Sequence, residues 1–430
     1  MSGIPVTLLG RGHPATLLAA ALARAGHTVR CLNTDVPEGD ADSATSPLQP
    51  PEWDPALGAL WEEQAAVGRL GPWQETGAPP VALWIETPQA GPAEAEMVWQ
   101  RRFHRFAGVL RRVRLLILVE FGPAPALPAA ARALRSALWN QREPYLALLP
   151  LALPARSALE TLRHPPLWIL TSLGPRRGLE ECRPVFESFG SPIMMTDPPA
   201  AGVLQATRHA LPWFQQVAVT TFPAGAVENA RLLRDYRRGL EAGEHLTPRP
   251  PAPGLGLGGL LESRPALLAE LPLAVVRGNG LIQAARRAHV AFLERVFAFL
   301  ADHLRAAANP RVAVWGVTTE PHTDQLVESP TLELVRKLLG IGVQVRVHDP
   351  SLEADPLRLP WVDVARTPEE AAQGADALIL GADWPVYGRL DPAELRRHVR
   401  RPLLVDGRGF FDPDEMRSAG WEHHDAATLF

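Results

Sequence analysis

Apolar positions along the chain fall into short runs separated by polar, Gly-rich and Pro-rich breaks, and their spacing changes twice. Residues 4–9 are apolar, meet Gly10-Arg11-Gly12-His13-Pro14-Ala15, continue with helical spacing to about residue 25, and return to an apolar run at 28–32. Strand, glycine turn, helix and strand in that order predict the opening βαβ unit of a dinucleotide-binding domain. Further runs at 81–85, 115–119, 145–149 and 167–171 alternate with helical segments, which predicts a parallel sheet covered by helices on both faces. From about 198 to 309 the spacing is helical, including 200–218 and a strongly periodic 281–308, interrupted by the Pro- and Gly-rich stretch 247–259. Alternation resumes with strands at 311–317, 343–348, 377–380 and 402–405 and a helix at 329–339. The expected fold class is α/β, with two Rossmann-like parallel-sheet domains (1–197 and 310–430) flanking a helical central domain (198–309).

The periodic helix carries Val290, Phe292, Leu293, Val296, Phe297, Leu300 and Leu304 on one face. A face of that size has to be buried, in a domain core or a subunit interface.

At 430 residues the chain exceeds a single core, consistent with several domains. Its net charge of −4 gives no bulk attraction to nucleic acid. The opening MSGIPVTLLGRG has an apolar stretch that is short, breaks at glycine and lacks a positive leader, so neither a signal peptide nor a membrane span is expected and a cytoplasmic location follows. The basic run 101–114 reads as a solvated helix face. Cys31 and Cys182 are too isolated for a disulfide framework or a thiolate metal site. His423-His424 are adjacent and lack a third ligand, so they read as surface residues and no metal is expected. Trp53, Trp84, Trp213, Trp315 and Trp384 are scattered, as core residues are.

Residues 253–265 read PGLGLGGLLESRP. With Gly254, Gly256, Gly258 and Gly259 at their spacing, they resemble the substrate-binding signature loop of the nucleotide-sugar (UDP-glucose and GDP-mannose) dehydrogenases. Later segments resemble the same family: VAVWGVTTEPHTDQLVESP (312–330), VHDP (347–350), ADW (382–384) and VDGRG (405–409). The resemblance implies a dimer built on the central domain. It also implies two successive hydride transfers to NAD through a covalent sulfur intermediate, which requires a thiolate, a base for water and a cation for the oxyanion.

The matching positions are substituted. The nucleophilic cysteine falls on Leu261, which has no lone pair, and the following lysine and aspartate fall on Arg264 and Pro265. Two glutamates fall on Leu151 and Ala155, the second being the acid/base position; the oxyanion-stabilising lysine and asparagine fall on Gln205 and His209. An arginine that reaches across the dimer falls on His245, and Lys, Asp and Arg positions of the C-terminal segment fall on Glu320, Gln325 and Val327.

Gly10, Gly12 and Ala15 would let the backbone approach a pyrophosphate, but the ribose-gripping acid falls on Asn33, with Asp35 two residues on. Thr87-Pro88 matches a cofactor-side Thr-Pro, whereas Glu120-Phe121-Gly122-Pro123 sets a carboxylate where phosphates should lie. NAD binding is therefore expected to be weak or lost. Arg408 is the best surviving candidate for contact with a substrate phosphate or carboxylate.

The expectation that follows is a catalytically degenerate pseudoenzyme, dimeric or paired with an active homologue or pathway protein, with a binding, scaffolding or regulatory role in polysaccharide biosynthesis and a nucleotide sugar as its ligand. Two alternatives stand beside it. One is an active NAD-dependent oxidoreductase with non-covalent chemistry and His209 as base; the other is a purely structural protein that binds neither ligand.

Overall fold

The computed structural model describes residues 3–34, 48–73, 81–85, 92–120, 127–138, 143–151, 158–172, 179–198, 200–201, 280–324, 326, 329–352, 358–425 and 429. They fall into two compact units, the first holding the described residues up to 201 and the second those from 280 onward. Most of the expected central domain, residues 202–279, lies outside the described residues.

The first unit is built on an eight-stranded sheet. Its strands are β1 (Pro5–Gly10), β2 (Thr28–Asn33), β3 (Leu70–Pro72), β4 (Val81–Ile85), β5 (Leu115–Glu120), β6 (Tyr145–Pro150), β7 (Trp168–Ser172) and β8 (Ile193–Thr196). They lie in the order β3-β2-β1-β4-β5-β6-β7-β8. Strands such as LLILVE in β5 are covered on both faces and so read as unbroken apolar runs. One face packs on the helix Gly12–Arg24, whose residues Ala15 to Ala23 are all buried. The other packs on the helices Pro92–Arg105 and Leu127–Ala137, where Trp84 meets Trp99, Phe103 and Phe106 edge-on. Arg101, His104, Arg105, Arg111, Arg112 and Arg114 remain exposed, in keeping with a solvated basic face.

The sheet departs from the all-parallel expectation at one pair: β7 runs antiparallel to β6, with Ala147 opposite Ser172 and Leu148 opposite Thr171. A strand buried on both faces carries no alternation from which its direction can be read.

The second unit has a six-stranded, wholly parallel sheet of β9 (Arg311–Trp315), β10 (Gln344–His348), β11 (Asp363–Val364), β12 (Ala377–Leu380), β13 (Leu403–Asp406) and β14 (Glu422–Asp425). Its order is β11-β10-β9-β12-β13-β14. Local caps fix its helices: Ser329 accepts from the Leu332 N–H at 3.2 Å, and Pro330 occupies the first helical turn of Pro330–Gly340. β14 is short and polar (EHHD), and it corrects the surface reading of its histidines. The His423 side chain is 1% exposed and faces Asp406, while His424 points the other way and is half-buried.

The periodic helix Gly280–Leu304 belongs to this second unit. Phe292, Leu293, Val296, Leu300 and Leu304 are buried in the core formed with Val312, Val314, Leu334 and Leu338, while Val290 is 37% exposed. Of the two burial sites its pattern allowed, the face occupies the domain core, so it is not the expected subunit interface. Truncating Leu300 to Ala is expected to destabilise the second unit by about 2–5 kcal/mol, and Val290→Ala by no more than about 0.5 kcal/mol. Urea unfolding of the two variants measures the difference; equal effects would contradict this packing.

Candidate functional site

Each sheet reverses its strand order beside its first strand, between β1 and β4 in one unit and between β9 and β12 in the other. Such switch points leave a crevice at the carboxyl ends of the strands, where α/β proteins bind ligands.

At the first crevice, Gly10 ends β1. A Cβ there would lie 2.8 Å from the Ala15 Cβ and 3.0 Å from the Ile85 carbonyl oxygen, so only glycine lets strand, helix and neighbouring strand approach this closely. Gly12 follows with φ +66°, a left-handed conformation suited to glycine. The helix starting there receives no side-chain cap from Arg11, leaving its first N–H groups to serve an anion. Asn33 stands opposite Gly10 in the β1–β2 register, and the Thr34 N–H donates to the Gly10 carbonyl at 3.0 Å. His13 is buried under the turn, with Nε2 2.9 Å from Asp54 Oδ2 and its ring 4.5 Å from that of Trp53. Asp54 also accepts from the Leu57 N–H at 3.0 Å, capping the helix Pro55–Ala66. The turn, the switch point and the uncapped helix fit a dinucleotide pyrophosphate.

The second crevice is tighter and built on buried charge. Gly316 has φ +77°, and a Cβ there would lie 2.6 Å from Ala382. Asp349 is saturated: Oδ2 accepts from the Val317 N–H (2.8 Å), the Thr318 N–H (3.0 Å) and the Thr318 hydroxyl (3.0 Å), and Oδ1 from the Ser351 N–H (2.9 Å) and hydroxyl (2.7 Å). The Trp384 indole N–H donates to Thr318 Oγ1 at 3.2 Å. Arg408 is 3% exposed; its Nε donates to the Gly381 carbonyl at 2.8 Å and its Nη2 to that of Thr319, joining the loops that follow β12 and β9. Burial would raise the Asp406 carboxyl, but the His423 ring and the N–H groups of Phe411 and Arg408 outweigh it and hold the group below its ordinary range.

A family model described as the UDP-glucose/GDP-mannose dehydrogenase family, UDP binding domain, matches residues 313–413, which contain this second crevice. A UDP-glucose 6-dehydrogenase of Pseudomonas aeruginosa is 26% identical over 96% of this chain and 95% of its own length. A UDP-glucose 6-dehydrogenase of Bacillus subtilis is 22% identical over 97% and 96% respectively. Among solved structures, a UDP-glucose dehydrogenase from Pyrobaculum islandicum superposes with a TM-score of 0.71 at 21% identity, over 99% of this chain and 98% of that one. A UDP-D-ManNAc dehydrogenase from Pyrococcus horikoshii gives 0.67 at 18% identity, over 99% of both chains, and these two likenesses bear on the fold. Residues 313–413 thus match the UDP-binding domain of the UDP-glucose/GDP-mannose dehydrogenase family, and the chain as a whole is similar to UDP-glucose 6-dehydrogenases.

Of the positions matched to this dehydrogenase family, Gly10, Gly12, Ala15 and Asn33 meet at the first crevice. Arg408 stands at the second, turned toward the chain's own carbonyls rather than held open as a ligand-contacting group. Leu151 is buried just past the end of β6. Asp35, Thr87, Pro88, Ala155, Gln205, His209, Gly254, Gly256, Gly258, Gly259, Leu261, Arg264 and Pro265 lie outside the described residues, as do His245, Gln325 and Val327. Both cysteines are described, and burial pushes each thiol up to about 12. No cluster of metal-binding side chains occurs among the described residues, and no described helix is long and apolar enough to cross a membrane.

Sequence reasoning missed the His13–Asp54 pair, although the Asp-Pro sequence opening the helix Pro55–Ala66 signals a cap. It also missed His348. The Tyr387 hydroxyl donates to the His348 carbonyl at 2.9 Å and so accepts from His348 Nδ1 at 3.1 Å, while burial lowers the ring's pKa from 6.5 to about 4. The fold therefore favours neutral His348. Its contribution is complete above pH 6.5 and is lost as pH falls toward 4, by up to about 3 kcal/mol. Thermal melts of wild type and His348→Gln at pH 7 and 4.5 should show the wild type losing more stability on acidification; parallel losses would refute the assignment.

Proposed function

We propose that the chain is a nucleotide-sugar dehydrogenase-like protein that binds rather than oxidises. The observation that carries this reading is the fate of its thiols. The family's chemistry needs a thiolate, yet the position matched to the nucleophile is Leu261, and the chain's two cysteines sit in the core of the first unit with thiols pushed up to about 12. Ala155, Gln205 and His209 at the base, cation and amide positions support it further. The ligand would be a nucleotide sugar at the crevice between β9 and β12, where the matched UDP-binding region lies, with NAD held weakly or not at all because Asn33 replaces the ribose-gripping acid. Such a protein would scaffold or regulate a sugar-nucleotide step in polysaccharide biosynthesis, as a homodimer or beside an active homologue.

Purified protein given UDP-glucose or GDP-mannose with either nicotinamide cofactor is expected to form no reduced cofactor above background. Restoring cysteine alone at Leu261 should not change this, because members of a catalytic unit fail together. Sustained cofactor reduction that disappears on substituting Gly12 would overturn the reading.

For the assembly, light scattering at micromolar concentration is expected to give the mass of a dimer. Since the face of Gly280–Leu304 is buried within its own unit, Val290→Glu at its exposed edge should leave that mass unchanged. A monodisperse wild-type monomer would refute the dimer.

A further inference from the structure

We propose that the crevice at the ends of β1 and β2 recognises an adenine dinucleotide carrying a 2′-phosphate, NADP, in preference to NAD; the proposal rests on the fit of this crevice to a dinucleotide. A turn selective for NAD places a carboxylate at the end of its second strand, where it accepts from the ribose hydroxyls and repels a 2′-phosphate. In this chain the Gly10–Asn33 register places a neutral amide there, followed by Thr34. Asn33 can hydrogen-bond a ribose or a phosphate oxygen, and it brings no repelling charge.

Two neighbours supply what a phosphate needs. Arg11 lies between the two turn glycines and is exposed, with an extended backbone (φ −144°) and no role in capping the helix. It directly follows Gly10, whose carbonyl receives the Thr34 N–H, so its backbone lies on the same edge of the crevice as Asn33 and Thr34. Guanidinium geometry suits a phosphate dianion. The Thr34 hydroxyl oxygen is shut off from solvent and has no hydrogen-bond partner among the described residues. A buried hydroxyl left in that state is one that a ligand oxygen can satisfy. Asp54, the carboxylate brought under the turn, is committed to His13 and to the Leu57 N–H.

The test is calorimetric titration of the full chain with NADPH, NADH, 2′,5′-ADP and 5′-AMP, the last two differing only in the 2′-phosphate. NADPH should bind about tenfold or more tightly than NADH, and 2′,5′-ADP likewise over 5′-AMP, which is what one charge-assisted contact provides. Arg11→Ala should abolish the difference without weakening NADH, and Asn33→Asp should reverse it; circular dichroism melts confirm that both variants fold. NADH binding as tightly as NADPH overturns the proposal while leaving the dinucleotide reading intact. Loss of NADH binding in Asp35→Ala, with NADPH unaffected, overturns it as well, since an acid would then be gripping the ribose. Binding of none of the four overturns the dinucleotide reading together with it.

Discussion

Both sheets depend on one constraint: the first strand must end in, or run straight into, a residue without a side chain. At Gly10 the space a Cβ would need is held by Ala15 and the Ile85 carbonyl, and at Gly316 by the backbone and methyl of Ala382. The reason is topological. The chain leaves the first strand to build one flank of the sheet and later returns to build the other, so strands arriving from both sides crowd the same end of β1 and of β9. Each glycine lets the backbone leave this congestion, and Gly316 does so in the left-handed region. The crevices, and whatever they bind, follow from this close approach.

The two ends satisfy their polar groups differently. At the second crevice Asp349 takes five donors and the Arg408 guanidinium bridges two loops, so charge is spent on holding the loops in place. A buried carboxylate with that many donors is cheap to keep and costly to disturb, because removing one partner strands the rest. At the first crevice the polar pair beneath the turn is His13 and the partly buried Asp54, and the turn itself presents backbone N–H groups and the exposed Arg11. One end is braced internally; the other leaves its donors turned outward.

Most of the fold was legible because its strands are short apolar runs between glycine and proline breaks, as at β1, β4 and β5. What escaped was information that such runs do not contain. The antiparallel placement of β7 is invisible in WILTS, since a strand buried on both faces looks the same in either direction. β14 reads as polar surface, and only its pairing with β13, which sets His423 beside Leu404 and the ring near Asp406, explains why a histidine there is buried. The apolar face of Gly280–Leu304 was read correctly as buried, but periodicity gives no destination, and the core of the second unit supplied it. At the site, Gly10, Gly12 and Asn33 could be placed from motif spacing, whereas the roles of His13 and His348 depend on partners 41 and 39 residues away.

Two properties that the family resemblance joins rest on different features of the chain. Reaction chemistry depends on a few side chains, and a thiol buried in a core, as at Cys31 and Cys182, behaves as a small apolar group. The crevices depend on backbone geometry instead. Replacing Gly10 or Gly316 would force strands apart, and truncating Asp349 would leave Val317, Thr318 and Ser351 without their acceptor. The crevices are therefore as durable as the fold, because the residues that shape them also hold the sheets together.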